Sequence, residues 1–401
     1  MAESAAEENQ KETMMDKLIE QMLYLIACAL HDVTPDDEKL ENLDLTALYK
    51  LASAQSLTAM ICIALEATAI FENADPEIVK RWKDAKNKAI RKNILLDAER
   101  AQILHEMDQA GIWYMPLKGS VLKEFYPKFG MRQMVDNDIL YDAAFQFQLK
   151  EIMVKRGYKT KSIGKGPHDT YHKPPIYNFE MHTALFGSSN GPAWAAYNAD
   201  VRKKLIADPA NPYALHFTDE DFSIYMTAHA YKHYQSEGNG LRMLVDSYVL
   251  NRAKGSAWDR EYMQSELDAL GIAEFEEQSR TLSEKLFGTA RAVSMTELTE
   301  PESEMLLYCA RSGTHGTMQN WVKNNIKKLQ PDGKPVSNRT KLRYYCSRLF
   351  PGREWCRTSH PFFYRHPVLL PFFWIYRIVR GVLFRNKRIT SEIRTVKNIE
   401  K

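Results

Sequence analysis

The chain has 401 residues, too long for one ordinary core and long enough for two or three domains. Apolar residues at 44% against 26% charged mark a globular chain with a sizeable core and exclude a disordered one, and a net charge of +3 sets no demand for a nucleic-acid partner. Five scattered cysteines form no CxxC pair and no zinc-ligand spacing, so they read as reduced thiols of a cytosolic protein.

Residues 1–12 are polar and read as a disordered N-terminus, acidic where a secretory signal would be basic and then apolar. Residues 13–110 read as a helical region. Leu18, Met22, Leu23, Ile26 and Leu30 recur on one helical face, and Leu48–Glu66 repeats the pattern. Pro76 opens a third helix at its tolerated first turn, and Lys86–Ala110 reads as a fourth, ended by Gly111. Residues 111–195 change period and read as an α/β core. Strands are expected at Ile112–Met115, Val135–Tyr141, Thr170–His172 and Ile176–Leu185, with helices at Val121–Phe129 and Ala144–Arg156. Residues 196–329 read as a helical domain, with one helix capped by Thr218 or Asp219 and another at Leu241–Ala253. Residues 330–337, rich in Pro, Gly and Asp, read as a linker to a basic, aromatic helical region at 338–401.

The chemistry concentrates between Lys118 and His182. Asp136 and Asp138 stand at i, i+2 on an expected strand, so both carboxylates face one side and can converge on divalent cations, while Asn137 points away. Glu180, in Phe179-Glu180-Met181-His182, is the candidate third carboxylate and shares a face with His182. Gly119-Ser120 at an expected helix start suits a phosphate, with Lys118 and Arg132 as counter-charges. Each piece alone is ordinary: an N-cap, a polar strand end, a solvent-facing Glu. Their order along one α/β segment is what points to nucleotidyl transfer.

Other constellations are weaker. His229 and His233 lie at i, i+4, but Ala230 stands where a zincin has Glu, so a polar network with Arg242 and Asp246 beside the cleft is the reading. His168 and Asp169, in the Gly-Pro loop GKGPHD, read as surface, with lining of the site as the alternative. No P-loop or Rossmann motif is present.

The stretch GIWYMPLKGSVLKEFYPKFGMRQMVDNDILYD resembles the nucleotidyltransferase superfamily signature, and more closely an uncharacterised bacterial nucleotidyltransferase family. The Phe-Glu-Met-His segment resembles that family's third-carboxylate strand. His229, His233, Leu241, Arg242 and Asp246 resemble its helical region, and Arg365-His366-Pro367 through Arg377 also looks familial, so the resemblance runs from about residue 45 to 385. It implies an α+β fold: a small mixed β-sheet core flanked by N- and C-terminal helical regions. It implies Asp136, Asp138 and Glu180 as ligands of Mg²⁺ (two ions, or Mn²⁺) and Ser120 near the phosphates of an NTP. An apolar residue is usual between the two aspartates, and here it is Asn137. The function implied is transfer of an NMP to an acceptor, which could be a small molecule, a sugar phosphate, a protein or an RNA. The alternative is a catalytically degenerate binding or regulatory protein.

From Ser337 to Lys401 fifteen Lys or Arg face three Glu, interleaved with aromatics. Three readings of this tail compete: aromatics packed onto the protein body, a nucleic-acid surface, or a peripheral contact with the inner face of a membrane from the cytoplasmic side.

Overall fold

The structure, a computed structural model, describes residues 2–160, 163–164, 166–187, 191–330, 336–384 and 386–399. One compact unit takes in the described residues up to Tyr231 together with Gly240–Thr314; the other takes in Lys232–Asn239 and the described residues from His315 onward. The division thus falls ahead of the expected linker, of which residues 331–335 lie outside the described residues.

The first helix, Ala2–His31, buries Met22 and Leu25–Cys28 completely. It begins inside the stretch expected to be disordered. The Ala, Glu, Gln and Lys there are strong helix formers, and a helix already nucleated downstream extends at little cost. Helix Leu45–Ala54 starts where the Asp44 side chain accepts from the Thr46 and Ala47 N–H groups at 2.8 and 2.9 Å. Helix Thr58–Leu65 is buried nearly all round. The third and fourth expected helices are one 34-residue helix, Pro76–Gln109, because no Gly or Pro interrupts the run between Glu77 and Ala110. It stops at Gly111, whose φ of +68° suits a residue without Cβ.

The sheet has seven strands: β1 Tyr114–Leu117, β2 Asn137–Tyr141, β3 Lys159–Thr160, β4 His168–Lys173, β5 Tyr177–His182, β6 Ile206–Asp208 and β7 Asn211–His216. Their order is β3-β4-β5-β2-β1-β7-β6. β2 pairs parallel with β5 and antiparallel with β1, and β1 pairs parallel with β7, so the sheet is mixed and the fold is α+β. The sheet extends past residue 195: β6 and β7 lie in a region read as helical. Their short alternation around Pro209 and Pro212 gives little apolar signal, and pairing with β1 is what holds them.

Alternation divides the two sides of the central strands. Ile139, Tyr141, Tyr171, Phe179 and Met181 join Ile103 and Met107 of the long helix, and Leu149 and Met153 of helix Gln146–Lys155, in one core cluster. The other side carries Asp138, Glu180 and His182, and is the side on which the polar chemistry collects. In the second unit, Val322, Ile326, Tyr344 and Val396 form a small core of their own.

Candidate active site

The register of β2 on β5 sets Asp138 directly beside Glu180 and Leu140 beside His182. Asp138 is buried, and its Oδ1 accepts from Lys118 Nζ at 2.6 Å and contacts His182 Nε2 at 2.8 Å. Glu180 Oε2 lies 3.8 Å from His182 Nε2 and 3.6 Å from His168 Nε2. Asp136 sits immediately ahead of β2.

Too many carboxylates share this place for all to ionise. Burial and the adjacent Asp138 charge push Asp136 above its ordinary value, against Lys118, Arg242 and Lys92. Burial, then Asp138 and Asp136, push the Glu180 carboxyl up to about 7. Asp138 goes the other way: burial opposes its charge, but Lys118 and His182 hold it well below the usual carboxylate range. Among the described residues, His168, Glu180 and His182 form a group whose ligand atoms lie within 4.8 Å of one another and could hold a metal ion. Two imidazoles and one carboxylate form a donor set that a divalent cation accepts, the carboxylate suiting Mg²⁺ or Mn²⁺; neither Asp136 nor Asp138 belongs to this group.

The turn ahead of the aspartates differs from expectation. Lys118 precedes the helix with φ of +51°, an uncommon conformation for a residue with a Cβ. The helix is one turn, Gly119–Leu122, followed by a 3₁₀ turn at Lys123–Phe125, where a helix over Val121–Phe129 was expected. Ser120 does not cap it; its hydroxyl donates to the Leu117 carbonyl at 2.7 Å and closes the turn. A Cβ on Gly119 would fall 2.0 Å from Arg132 Nη1 and 2.9 Å from Met134 Sδ, so this glycine admits the arginine.

Arg132 in turn is buried and gives Nε and Nη2 to the two oxygens of Asp246 at 2.8 and 2.9 Å, and Tyr126 donates to the same carboxylate. Burial opposes the guanidinium charge, but Asp246 holds it above its ordinary value. Arg242 lies alongside, its Nη1 donating to the Gln133 carbonyl at 3.3 Å, and burial and the charge of Arg132 push it down. Arg132, Arg242 and Asp246 therefore form one pinned network behind the Gly119 turn. His229 packs near Tyr225 with ring centroids 6.2 Å apart, while His233 belongs to the second unit.

Asn137 faces the core side as alternation requires, yet it is fully buried. Its Oδ1 accepts from Arg100 at 2.8 Å and its Nδ2 donates to the Leu96 carbonyl at 3.3 Å, both on the long helix. The unusual residue between the aspartates thus clamps β2 to that helix.

Three residues of this region were not among the expected site residues, although lining of the site was the alternative reading for His168. His168 lies on β4 in register with His182, not on a surface loop. Its signal was the period-2 spacing to Thr170 and His172, masked by the preceding Gly and Pro. Tyr225 is fully buried, its hydroxyl has no hydrogen-bond partner among the described residues, and the charges of Asp138 and Glu180 act on it. Lys92 donates to the Val135 carbonyl at 2.9 Å, and burial pushes its ammonium down while Asp136 opposes this. Neither of the last two carries a local motif. A cavity of about 860 Å³ opens between helices Leu45–Ala54 and Pro76–Gln109 and ends at Gln133–Val135, just before Asp136. Lys80, Arg81, Lys88 and Lys92 line it, with Glu77 and Asp84 as the acidic residues.

A family model described as an uncharacterised nucleotidyltransferase matches residues 41–288, and the chain belongs to that family. The match ends short of the Arg365–Arg377 segment that also looked familial. No curated protein and no solved structure matches the chain.

Proposed function

We propose that this nucleotidyltransferase transfers an NMP from an NTP to an acceptor hydroxyl or phosphate, with release of pyrophosphate. The observation that carries the reading is the in-register pair of Asp138 and Glu180, with Asp136 just ahead of the same strand; burial and these two neighbouring carboxylates push Glu180 up to about 7. Asp136, Asp138 and Glu180 would hold Mg²⁺ or Mn²⁺, with His168 and His182 beside Glu180; two such ions supply charge neutralisation at the triphosphate and a more acidic acceptor hydroxyl. The chain's own residues do the rest by position. Lys118 keeps Asp138 ionised before substrate arrives, and its ammonium is a ready partner for a phosphate. Gly119 leaves the room that Arg132 occupies, and Arg132, held by Asp246, fixes the turn from behind. The acceptor oxygen attacks the α-phosphorus, the bond to the bridging oxygen of pyrophosphate breaks, and the acceptor proton passes to the carboxylate cluster.

The four cations lining the cavity ahead of Asp136 favour an acceptor that carries phosphate over a neutral one. Free cysteines and the need for NTP favour the cytoplasm as the compartment. One observation favours the second reading, a degenerate binding module: the Lys118 ammonium already gives Asp138 a built-in counter-ion.

Incubation with α-labelled NTPs, Mg²⁺ or Mn²⁺ and a cell extract separates the two. Label passes to an acceptor with the native chain and not with Asp138→Asn if the enzyme reading holds. Transfer that survives Asp138→Asn removes the metal assignment. A native chain that neither transfers label nor binds NTP in a metal-dependent way leaves the degenerate reading.

A further inference from the structure

Helix Leu370–Phe384, which precedes the last helix Asn386–Asn398, turns an apolar face outward. At the 3.6-residue period, Phe372, Ile375, Tyr376, Val379 and Leu383 fall on one face, with Val368 in the turn before them. That face is exposed: Phe372 is 68%, Ile375 61% and Leu383 67% accessible, and Val368 reaches 85%. The opposite face packs inward and carries Arg377, while Arg380 stays exposed. Phe373 is buried against Phe363 and His360, and Arg377 stacks over Trp355 at 4.4 Å and donates to the Arg348 carbonyl at 3.3 Å. An ordinary surface helix buries its apolar stripe and shows its charges. A contiguous exposed stripe of large side chains marks a surface that something covers.

Charge says what covers it. Fifteen Lys or Arg against three Glu crowd Ser337–Lys401, and Arg353, Arg357, Arg365 and Arg380 are exposed among them. Tyr376, within the stripe, has a hydroxyl that accepts from Arg380 at 3.2 Å, while Trp355, packed on Arg377 and Phe373, is itself exposed. An exposed apolar stripe with Tyr376 and Arg380 on it, in a segment rich in exposed cations, is the complement of an anionic bilayer surface, with apolar residues entering the acyl boundary and cations meeting headgroup phosphates. Among the described residues no helix is long and apolar enough to cross a membrane, so the geometry is that of a helix lying on one.

We infer that helix Leu370–Phe384 docks the protein, in the interface plane, on a membrane of anionic lipid through the face of Phe372, Ile375, Val379 and Leu383. This inference stands apart from the nucleotidyl-transfer reading and does not need it.

The test is co-sedimentation of the full chain with vesicles of phosphatidylcholine alone and of an equal mixture of phosphatidylcholine and phosphatidylglycerol. Binding to the anionic vesicles is expected, weaker at high salt. Ile375→Glu with Val379→Glu should weaken it roughly ten-fold or more, because both charges enter the acyl boundary. Both positions are exposed, so an unchanged circular dichroism melt shows that the variant still folds. Absence of binding to either vesicle, or equal binding by the variant, overturns the inference. So does a dimer in sedimentation analysis that the variant dissolves, since the stripe then belongs to a second copy.

Discussion

Two buried carboxylate sites lie on opposite sides of the same sheet, and they are balanced differently. Glu99, on the long helix, accepts from Arg156 at 2.9 Å, Lys173 at 2.9 Å and Tyr158 at 3.1 Å. Burial opposes its charge, but Lys173 and Arg156 win and hold it below its ordinary value. One carboxylate has two cations and a phenol, and the result ties the long helix to the β4 end of the sheet. At the β2–β5 site three carboxylates compete for Lys118 and the more distant Lys92 and Arg242, and Glu180 is left near 7. A balanced cluster holds a fold together. An unbalanced one is tolerated where a ligand supplies the missing charge.

Substitutions can break that contrast. Glu180→Gln should lower NTP turnover by roughly 10³-fold, about 4 kcal/mol of transition-state stabilisation. The metal-free protein should meanwhile keep or gain stability in urea, because a repelling carboxylate is gone. A clear loss of stability would make Glu180 a structural residue like Glu99.

Arg132→Leu should cost about 3 kcal/mol in denaturant unfolding, since it leaves Asp246 buried without its partner. If Arg132 instead serves the nucleotide, the KM for NTP rises and the unfolding midpoint stays. Glu99→Gln should cost about 2 kcal/mol, by loss of charge-assisted hydrogen bonds, with NTP turnover unchanged once the protein is folded.

The contrast also shows in pH. Glu99 has a depressed folded value, so its contribution is full above the ordinary 4.5 and is lost as pH falls through the lower folded value. Glu180 has a raised one. The folded state holds its proton longer, so metal-free stability should fall as pH rises from about 4.5 to about 7 and then level off. Glu180→Gln should flatten that segment, and Mg²⁺ or Mn²⁺ should flatten it in the native chain. A native profile without slope there, measured by urea midpoints, would contradict the shift at Glu180.

Much of this site was legible along the chain because its parts are local. The Asp-x-Asp spacing on an apolar strand and the Glu-x-His spacing on another each fix a face by period alone. The long helix was legible as helix but not as one piece, since Pro76 and the periodic run at Lys86 looked like separate starts. β6 and β7 were not legible, because short strands with prolines at their connection carry little apolar pattern and depend on β1 for pairing.

By itself the sequence determined the alternation that puts Asp138 on one side of β2 and Asn137 on the other, and the match to a nucleotidyltransferase family. Only the tertiary structure decided the partners. It set Glu180 in register with Asp138 and brought His168 beside His182. It committed Arg132 to Asp246 through a gap that Gly119 leaves, and turned the apolar face of Leu370–Phe384 outward. The physical reason is range. Side-chain direction follows from a two- or four-residue period, whereas charge balance and burial depend on groups from about a dozen to more than a hundred residues apart, and no local pattern encodes them.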